Sequence, residues 1–538
     1  MKVWKGIIIL LGLVVLNILA WHVVCRWDMT SDKRYSISEP TKNLLKSLEQ
    51  PLEITLFLDG ELNAGFTLLK KASEEILDEL GVYATIKTPK RGDAGQEMQL
   101  EPVVIHERTH KGKTAQTTVY PYALVKYGEH SRLVSLLKNQ RGLSGEENLN
   151  NSIENLEYAF TEAIRSLTQN EVEKIAFLEG HGELEEPYVF DLTQALAQYY
   201  QVDRGVLGLE TGVLDSYKAV VIADPQMPFS ETDKYILDQY VMQGGRILWV
   251  VNGVRFSDDF LSSQGATPII ALDLNINDLL FRYGMRVNHS LVQDLQCMAV
   301  PVDVSNDASQ PNWQPMPWTY APLLLTSQKS PITQNVAQVS VTMASSVDLV
   351  GGKDGLKKEI LLATSTASKQ TAVPGRVDLS LGVDNEQSFQ YAFIPVAASI
   401  EGSFQSLYAH QLPPEEISLH APVIKQSKAT KQIIVAAGSA IRNELQQGVP
   451  LPLGYDRYTM RQFGNRDFMI NAVLYLTDDQ GWMQLRSKEF LLRLINDKRA
   501  QQTRITAQII SLFAPLALLI IAGAIVIIVR RKKYVINK

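Results

Sequence analysis

The chain has 538 residues, 52 Lys and Arg against 58 Asp and Glu, and a net charge of −6. That near balance excludes a nucleic-acid partner recruited by a basic surface. Its two cysteines, Cys25 and Cys297, lie too far apart in the chain to suggest an internal disulfide, so a disulfide-stapled scaffold is excluded as well.

The first element is an apolar run over 6–24, GIIILLGLVVLNILAWHVV. A hydrocarbon core of about 30 Å needs about 20 helical residues, so the run is long enough to span it. A cleaved signal peptide would have a shorter apolar region and a clean small-residue cleavage site, and this run has neither. Lipidation of Cys25 is disfavoured by the bulky Val24 before it.

Ser38 is placed to cap a helix with Pro40 in its first turn and Leu44, Leu45 and Leu48 on its apolar face. Pro51 ends that helix, and the next seven residues, LEITLFL, alternate like a strand. A helix over 67–80, strands over 84–88 and 103–107, and a hairpin joining 117–127 to 132–137 follow. Residues 146–167 place Ile153, Leu156, Phe160 and Ile164 at helical spacing. This first unit reads as α/β.

A second unit opens with KIAFLEGHGE over 174–183, a buried-type strand running into a glycine turn. A helix over 188–200, a strand over 202–206 and an apolar strand over 219–225 come next. Ser230 caps a helix that glycines stop before the strand at 246–252, and a further helix is expected over 272–283. Strand and helix alternate with short links, the pattern of a parallel sheet covered on both faces.

From about residue 301 the chain turns β-branched and polar. Strands are expected over 339–343, 359–364 and 389–396, and a long loop over 311–322. The α/β style returns at 431–439 and in a helix over 465–476; 487–502 reads as a basic helix leading onward. A second apolar run at 509–529 is long enough to span a bilayer, and Arg530, Arg531, Lys532 and Lys533 follow it. With Lys2 and Lys5 before the first run, the positive-inside rule places both termini in the cytoplasm and the large central region outside it.

Four motifs bear on chemistry. His106, Glu107 and His110 match the zinc-protease pattern, but β-branched residues before them and Lys111-Gly112-Lys113 after them favour a strand and turn over the helix that chemistry needs. The loop Glu179-Gly180-His181-Gly182-Glu183 lies where a parallel strand ends, the edge at which α/β sheets bind ligands. It reads either as a ligand or partner loop or as a turn whose polar side chains satisfy local backbone groups. The turn after 246–252 is Asn252-Gly253-Val254, without the Ser or Cys of a nucleophile elbow, and Cys297 reads as a buried structural thiol. Gly351-Gly352-Lys353 lacks the earlier glycine and the following Ser or Thr of a phosphate loop, so nucleotide hydrolysis must come from another subunit. No catalytic residue, metal site or cofactor is expected.

Several stretches together resemble one family, the auxiliary protein of a bacterial ABC transporter associated with gliding motility in the Bacteroidetes. They are RYSISEPTKNLL (34–45), FLEGHGE (177–183), KYILDQYVMQGGRILWV (234–250), LNINDLLFRYGMRVNHSLVQDLQ (274–296), IEGSFQS (400–406), PLGYDRY (452–458) and the stretch 464–497. The resemblance covers essentially the whole chain, in order. It implies a membrane-anchored, non-enzymatic, substrate-binding-type subunit working with a separate permease and a separate ATPase, and a middle unit similar to the class I glutamine-amidotransferase fold. Where an acidic residue is expected after the glycine of the late strand, this chain has Gly438-Ser439-Ala440-Ile441-Arg442.

The expected fold class is therefore α/β, with parallel-sheet extracytoplasmic domains and a β-rich insertion between two transmembrane helices. The expected organisation is a cytoplasmic N-terminus (1–5), a transmembrane helix (6–25), an N-terminal α/β domain (31–170) and an amidotransferase-like domain (171–300). A β-rich region (301–430), a C-terminal α/β segment with its basic helix (431–503), a transmembrane helix (506–529) and a cytoplasmic tail (530–538) complete it. The expected location is the inner membrane, two-pass, with the large domain in the periplasm. The rival reading is a membrane-tethered amidase- or hydrolase-like enzyme using the α/β domain.

Overall fold

The computed structural model describes residues 37–59, 62–87, 100, 102–108, 114–137, 145–168, 172–303, 312–351, 355–379, 386–417, 422–487, 513–528 and 530–531. The first expected span and the basic helix over 488–502 lie outside these residues. So does His110, and the expected second span lies partly outside them. Two compact units result, 1–488 and 489–538. In the second, 513–528 is helical with exposed side chains. Among the described residues no helix is long and apolar enough to cross a membrane.

The first unit begins with α1 (Glu39–Lys46), whose Ser38 side chain accepts from the Thr41 amide and whose Pro40 sits in the first turn. Strand β1 (Leu52–Leu56), helix α2 (Ala64–Leu80), strand β2 (Ile86–Lys87), strands β3 (Val103–Arg108) and β4 (Thr114–Val119), and strands β5 (Tyr122–Tyr127) and β6 (His130–Ser135) follow. Helix α2 starts earlier than its apolar pattern, because Asn63 caps it. The strand expected over 117–127 is two strands, divided at Tyr120-Pro121; β3 pairs with β4, and β5 pairs with both β1 and β6. The segment carrying His106 and Glu107 is a strand, the backbone that its β-branched context favoured. The helix expected over 146–167 is two, α3 (Gly145–Glu154) and α4 (Leu156–Thr168).

The larger sheet begins with β7 (Lys174–Glu179), α5 (Glu186–Leu196), β8 (Gln201–Val206), β9 (Tyr217–Ala223), α6 (Glu231–Met242) and β10 (Ile247–Val250). Helix α7 (Asn277–Arg282) is shorter than the apolar pattern over 272–283, since Asn275 takes a left-handed φ of 57° just before it. Strands β11 (Cys297–Asp303), β12 (Trp313–Thr326), β13 (Lys357–Ala363), β14 (Pro395–Gln405) and β15 (Gln426–Val435), then helix α8 (Asn465–Thr477), complete it. The long loop expected over 311–322 is instead part of β12. Pro315 and Pro317 fall where β12 pairs only with β11, and Pro322 meets its second neighbour through its carbonyl, which accepts from the Val341 amide, so the missing N–H groups break no second ladder. The strand expected over 389–396 starts only at Pro395, after Phe393 takes a left-handed φ of 55°.

The sheet has ten strands: nine run β11-β12-β13-β14-β15-β10-β9-β7-β8 along its main path, and the short strand Val339–Ser340 pairs with β12 off that path. Strands β15, β10, β9, β7 and β8 are mutually parallel, while β14 pairs antiparallel with β15 and β13 with β14. Segments on either side of residues 301 and 431 therefore share one layer. Alternation with period two decides which side chains face which helices. Phe177, Val221, Leu248 and Ile433 pack against α5 and α8 on one face. Leu178, Ile222, Trp249 and Ile434 pack against α6 and α7 on the other. The chain passes from β7 to β8 on one side and then back to β9 on the other, which puts a topological switch point at the carboxyl ends of β7 and β9.

Candidate functional site

The loop after β7 occupies that switch point. Gly180 and Gly182 take φ of 114° and 71°, values that side-chain-bearing residues rarely adopt. This turning lets the His181 carbonyl accept from the Gln226 and Met227 amides, each at 2.8 Å, so the loops after β7 and β9 close on one another. The His181 ring is 8% exposed and stacks on Phe229 with centroids 3.8 Å apart. Its Nδ1 lies 3.1 Å from Glu183 Oε1 and its Nε2 lies 3.2 Å from Asp233 Oδ2. Glu183 Oε2 also accepts from the His181 amide at 2.7 Å. Asp233 is itself part of the capping box of α6, with Ser230.

Burial opposes the imidazolium, but hydrogen bonds to Asp233 and Glu183 outweigh it and raise the His181 pKa to about 9. The ring is therefore a cation at neutral pH, with both nitrogens donating to carboxylates. In that state it has no lone pair to offer as a general base. Glu179 at the strand end accepts from Arg204 Nε at 2.8 Å, and Arg204 Nη2 reaches the Leu184 carbonyl at 2.9 Å. Of the five residues singled out in the sequence, His181 and Glu183 form an intramolecular clamp onto Asp233 at the start of α6, the two glycines shape its turn, and Glu179 pairs with Arg204 of β8 instead.

A second cluster lies beside it, unmarked in the sequence. Asp224, directly after β9, has φ 56° and is buried; burial pushes its carboxyl up to about 7. Asn252, after β10, donates to Asp224 Oδ1 at 2.7 Å and accepts from the Gly438 amide at 2.9 Å. One side chain thereby ties the ends of three neighbouring parallel strands. Arg442 pairs with Asp258 at 3.0 Å and covers the Tyr188 ring at 4.8 Å. The sequence signals were Asp-Pro after one apolar strand and Asn-Gly after the next, turn chemistry whose partners are remote in the chain.

Ser439, the hydroxyl nearest to a nucleophile position, donates to the Thr342 carbonyl at 3.0 Å and accepts from the Thr342 amide at 2.8 Å. Ser345 Oγ accepts from the Gly253 amide at 3.1 Å, and His289 Nδ1 lies 2.8 Å from the Gly253 carbonyl. The carboxyl edge is therefore covered by residues from the β-rich stretch. Cys297 is half-buried, and burial pushes its thiol up to about 11. Among the described residues no group of three or more His, Cys, Asp or Glu side chains could hold a metal ion.

Two cavities open on this unit, the first adjoining the edge through His289 and the second away from it. One, of about 650 Å³, is lined by Phe281, Arg282, Arg286 and His289. The other, of about 370 Å³, lies between the end of α1, the end of α4 and the segment after α8.

Comparison with known proteins gives the chain relatives. Residues 31–126 match a model described as a domain of unknown function. An uncharacterized protein of Borreliella burgdorferi is 20% identical over 403 residues, spanning 71% of this chain and 74% of its own length. Among solved structures, the mmIFT52 N-terminal domain overlays 57% of this chain and 98% of its own at 15% identity, with a TM-score of 0.33. An exo-β-1,4-mannosidase from an Opitutaceae bacterium overlays 75% of this chain at a TM-score of 0.20. Both overlays are too loose to define a fold. Residues 173–472, more than half of the chain, match the auxiliary-protein model described as an ABC-type uncharacterized transport system, and the chain belongs to that family.

Proposed function

We propose that this chain is a non-catalytic auxiliary subunit of an ABC transporter, anchored in the inner membrane at both ends of a large periplasmic domain. The segments 6–25 and 506–529 would be its spans, with both termini in the cytoplasm. It would dock to a separate permease and a separate ATPase and recognise a substrate or partner outside. The gliding-motility association of the Bacteroidetes proteins it resembles is the fitting biological setting.

The observation that carries this reading, beside family membership, is where the larger unit is gripped at its two ends. The Ser38 amide, at the start of α1, donates to Glu157 Oε1 at 2.7 Å. Trp482, after α8, stacks on Tyr158 with centroids 5.5 Å apart. Consecutive residues of α4 therefore hold the segment that follows the first apolar run and the segment that leads to the second. Holding both segments at one place suits a domain that stands on one membrane by two legs. The clamped His181 and engaged Ser439 support a non-catalytic role, and the doubly wound order supports an amidotransferase-like middle unit without its nucleophile.

Affinity purification of the tagged chain in mild detergent tests the reading. A permease and an ATPase should co-elute in fixed ratio; their absence from a membrane-derived preparation would remove the transporter role. Cysteine labelling from the periplasmic side should reach position 391 and not position 536.

A further inference from the structure

The larger of the two cavities, of about 650 Å³, falls within the size range of small-molecule sites. Its walls come from α7, the strand Met285–Val287, the two residues after it and Leu407. Leu279 and Leu280 of α7 are buried in the core, so helical spacing turns Phe281 and Arg282 outward. Phe281 is 57% exposed, and Val287 and Leu407 add apolar surface to the same lining.

These walls are held in place from behind. The Leu407 amide donates to the buried Asp238 carboxylate at 3.0 Å. His289 Nδ1 donates to the Gly253 carbonyl at 2.8 Å, which leaves Nε2 to accept from Asn277 Nδ2 at 3.4 Å. The cavity is therefore preformed, and it adjoins the turn after β10 at the carboxyl edge of the parallel strands.

The charges on its lining are matched, with one exception. Asp278, the carboxylate of the lining, pairs with Lys234 at 2.7 Å, and Arg286 pairs with Asp348. Arg282 is exposed, and no carboxylate among the described residues forms an ion pair with it. An exposed arginine alone is ordinary surface. Here an unpaired guanidinium stands next to an exposed aromatic ring on the wall of a preformed, partly apolar cavity. Few polar groups converging on an apolar pocket mark a ligand site, and this pair suits a guest with an anionic group on a flat apolar body.

We propose that this cavity binds a small organic anion of the aryl phosphate or aryl carboxylate kind, its anionic group on Arg282 and its ring against Phe281. A guanidinium presents paired N–H donors to phosphate or carboxylate oxygens, and aromatic rings attract one another in offset or edge-to-face contact. The proposal rests on the reading above of an auxiliary subunit that recognises something outside, and it names the chemistry recognised. Its position suits that role, since α/β sheets take ligands beyond the carboxyl ends of their strands.

The test is calorimetric titration of the purified full chain with phenyl phosphate and phenylacetate. Inorganic phosphate and benzyl alcohol serve as the charge-only and ring-only probes. The tighter of the two aryl anions identifies the anionic group, and it should bind at least about tenfold more tightly than either simpler probe. Arg282→Gln should weaken it about tenfold, with Arg282→Lys intermediate, and leave benzyl alcohol unaffected. Phe281→Ala should weaken it about fivefold. Both side chains are exposed, so each variant should melt with the parent chain, which separates lost binding from lost folding. No binding of either aryl anion, a simpler probe that binds as tightly, or unchanged affinity in both Arg282→Gln and Phe281→Ala overturns the proposal. Co-elution of permease and ATPase is scored separately. A chain that co-elutes with them but binds neither anion loses this site and keeps the transporter role; one that binds without co-elution keeps the site and loses the role.

Discussion

Gly438 lies directly against the carboxyl group of Asp224, and a Cβ added at position 438 would overlap it. The acidic side chain packed against the turn after the late strand comes instead from the end of β9, two strands away in the order β15-β10-β9. Asn252 locks the pair by bonding to both.

Gly438→Ala should therefore cost about 1–3 kcal/mol, the usual penalty of overpacking, because the Asp224 side chain is buried and held by Asn252. Adding Asp224→Ala should recover part of that loss. Denaturant unfolding of both single variants and the double variant checks the coupling; strictly additive losses would show that the two residues do not collide.

Asp224 also makes stability fall with pH. Its folded value is raised to about 7 from an ordinary 3.8, so between those values the native state keeps a proton that the unfolded chain has released. The stabilising contribution is full below about pH 4 and gone above about pH 7. Asp224→Asn, which keeps the acceptor for Asn252, should raise Tm by several degrees at pH 8, with the gain shrinking toward pH 4. A gain independent of pH would point away from ionisation.

The His181 clamp has the same sign with a higher window. Its folded pKa, raised to about 9 from 6.5, gives stability that is complete below about pH 6.5 and lost as pH rises through 9. The shift bounds the effect at about 3 kcal/mol. Asp233 works from the acid side: burial disfavours its charge, the bond to His181 outweighs that, and its lowered pKa contributes stability lost as pH falls below the ordinary carboxylate range. His181→Gln should lower Tm most near pH 6 and little near pH 10. An equal loss at both ends would mean that packing on Phe229, and not charge, is what His181 provides.

Trp482→Ala should separate the two parts of the larger unit. The ring is buried, stacked on Tyr158 and covered by Arg165, so truncation should cost about 3–5 kcal/mol. Scanning calorimetry should show one transition becoming two, the N-terminal sheet melting first. Phe281→Ala, at a position 57% exposed, is the control and should change stability by no more than about 0.5 kcal/mol.

Asp238 should be as sensitive. It is fully buried and accepts from Ser406 Oγ at 2.6 Å, the Tyr283 hydroxyl at 2.9 Å and the Leu407 amide at 3.0 Å. Asp238→Ala leaves these donors unpaired at about 1–3 kcal/mol each, so it should unfold at much lower denaturant than Asp238→Asn. Matching midpoints would refute the hub.

Much of the fold was legible because local rules decide it. The Ser38 and Ser230 caps, the apolar strands β7, β9 and β10, and the helix over 465–477 appear where short-range pattern and turn chemistry place them. The misreadings share one cause. The prolines of β12 read as loop because the sequence does not say which side of a strand has a neighbour, and Asn275 and Phe393 take left-handed angles that no propensity requires. The candidate loop was legible as a place, at the end of β7. What its side chains grip was not, because Asp233 and Phe229 lie some fifty residues further on.

By itself, then, the sequence determined the alternating α/β architecture, the two apolar runs and the family, since composition, periodicity and ordered motifs are properties of neighbouring residues. Only the tertiary structure decided that segments on either side of residues 301 and 431 build one sheet, and that Asp224, Asn252 and Gly438 meet at its edge. It also decided that Glu157 and Tyr158 grip both ends of the domain. Those are contacts between residues up to hundreds of positions apart, and strand order and packing, not local propensity, bring them together.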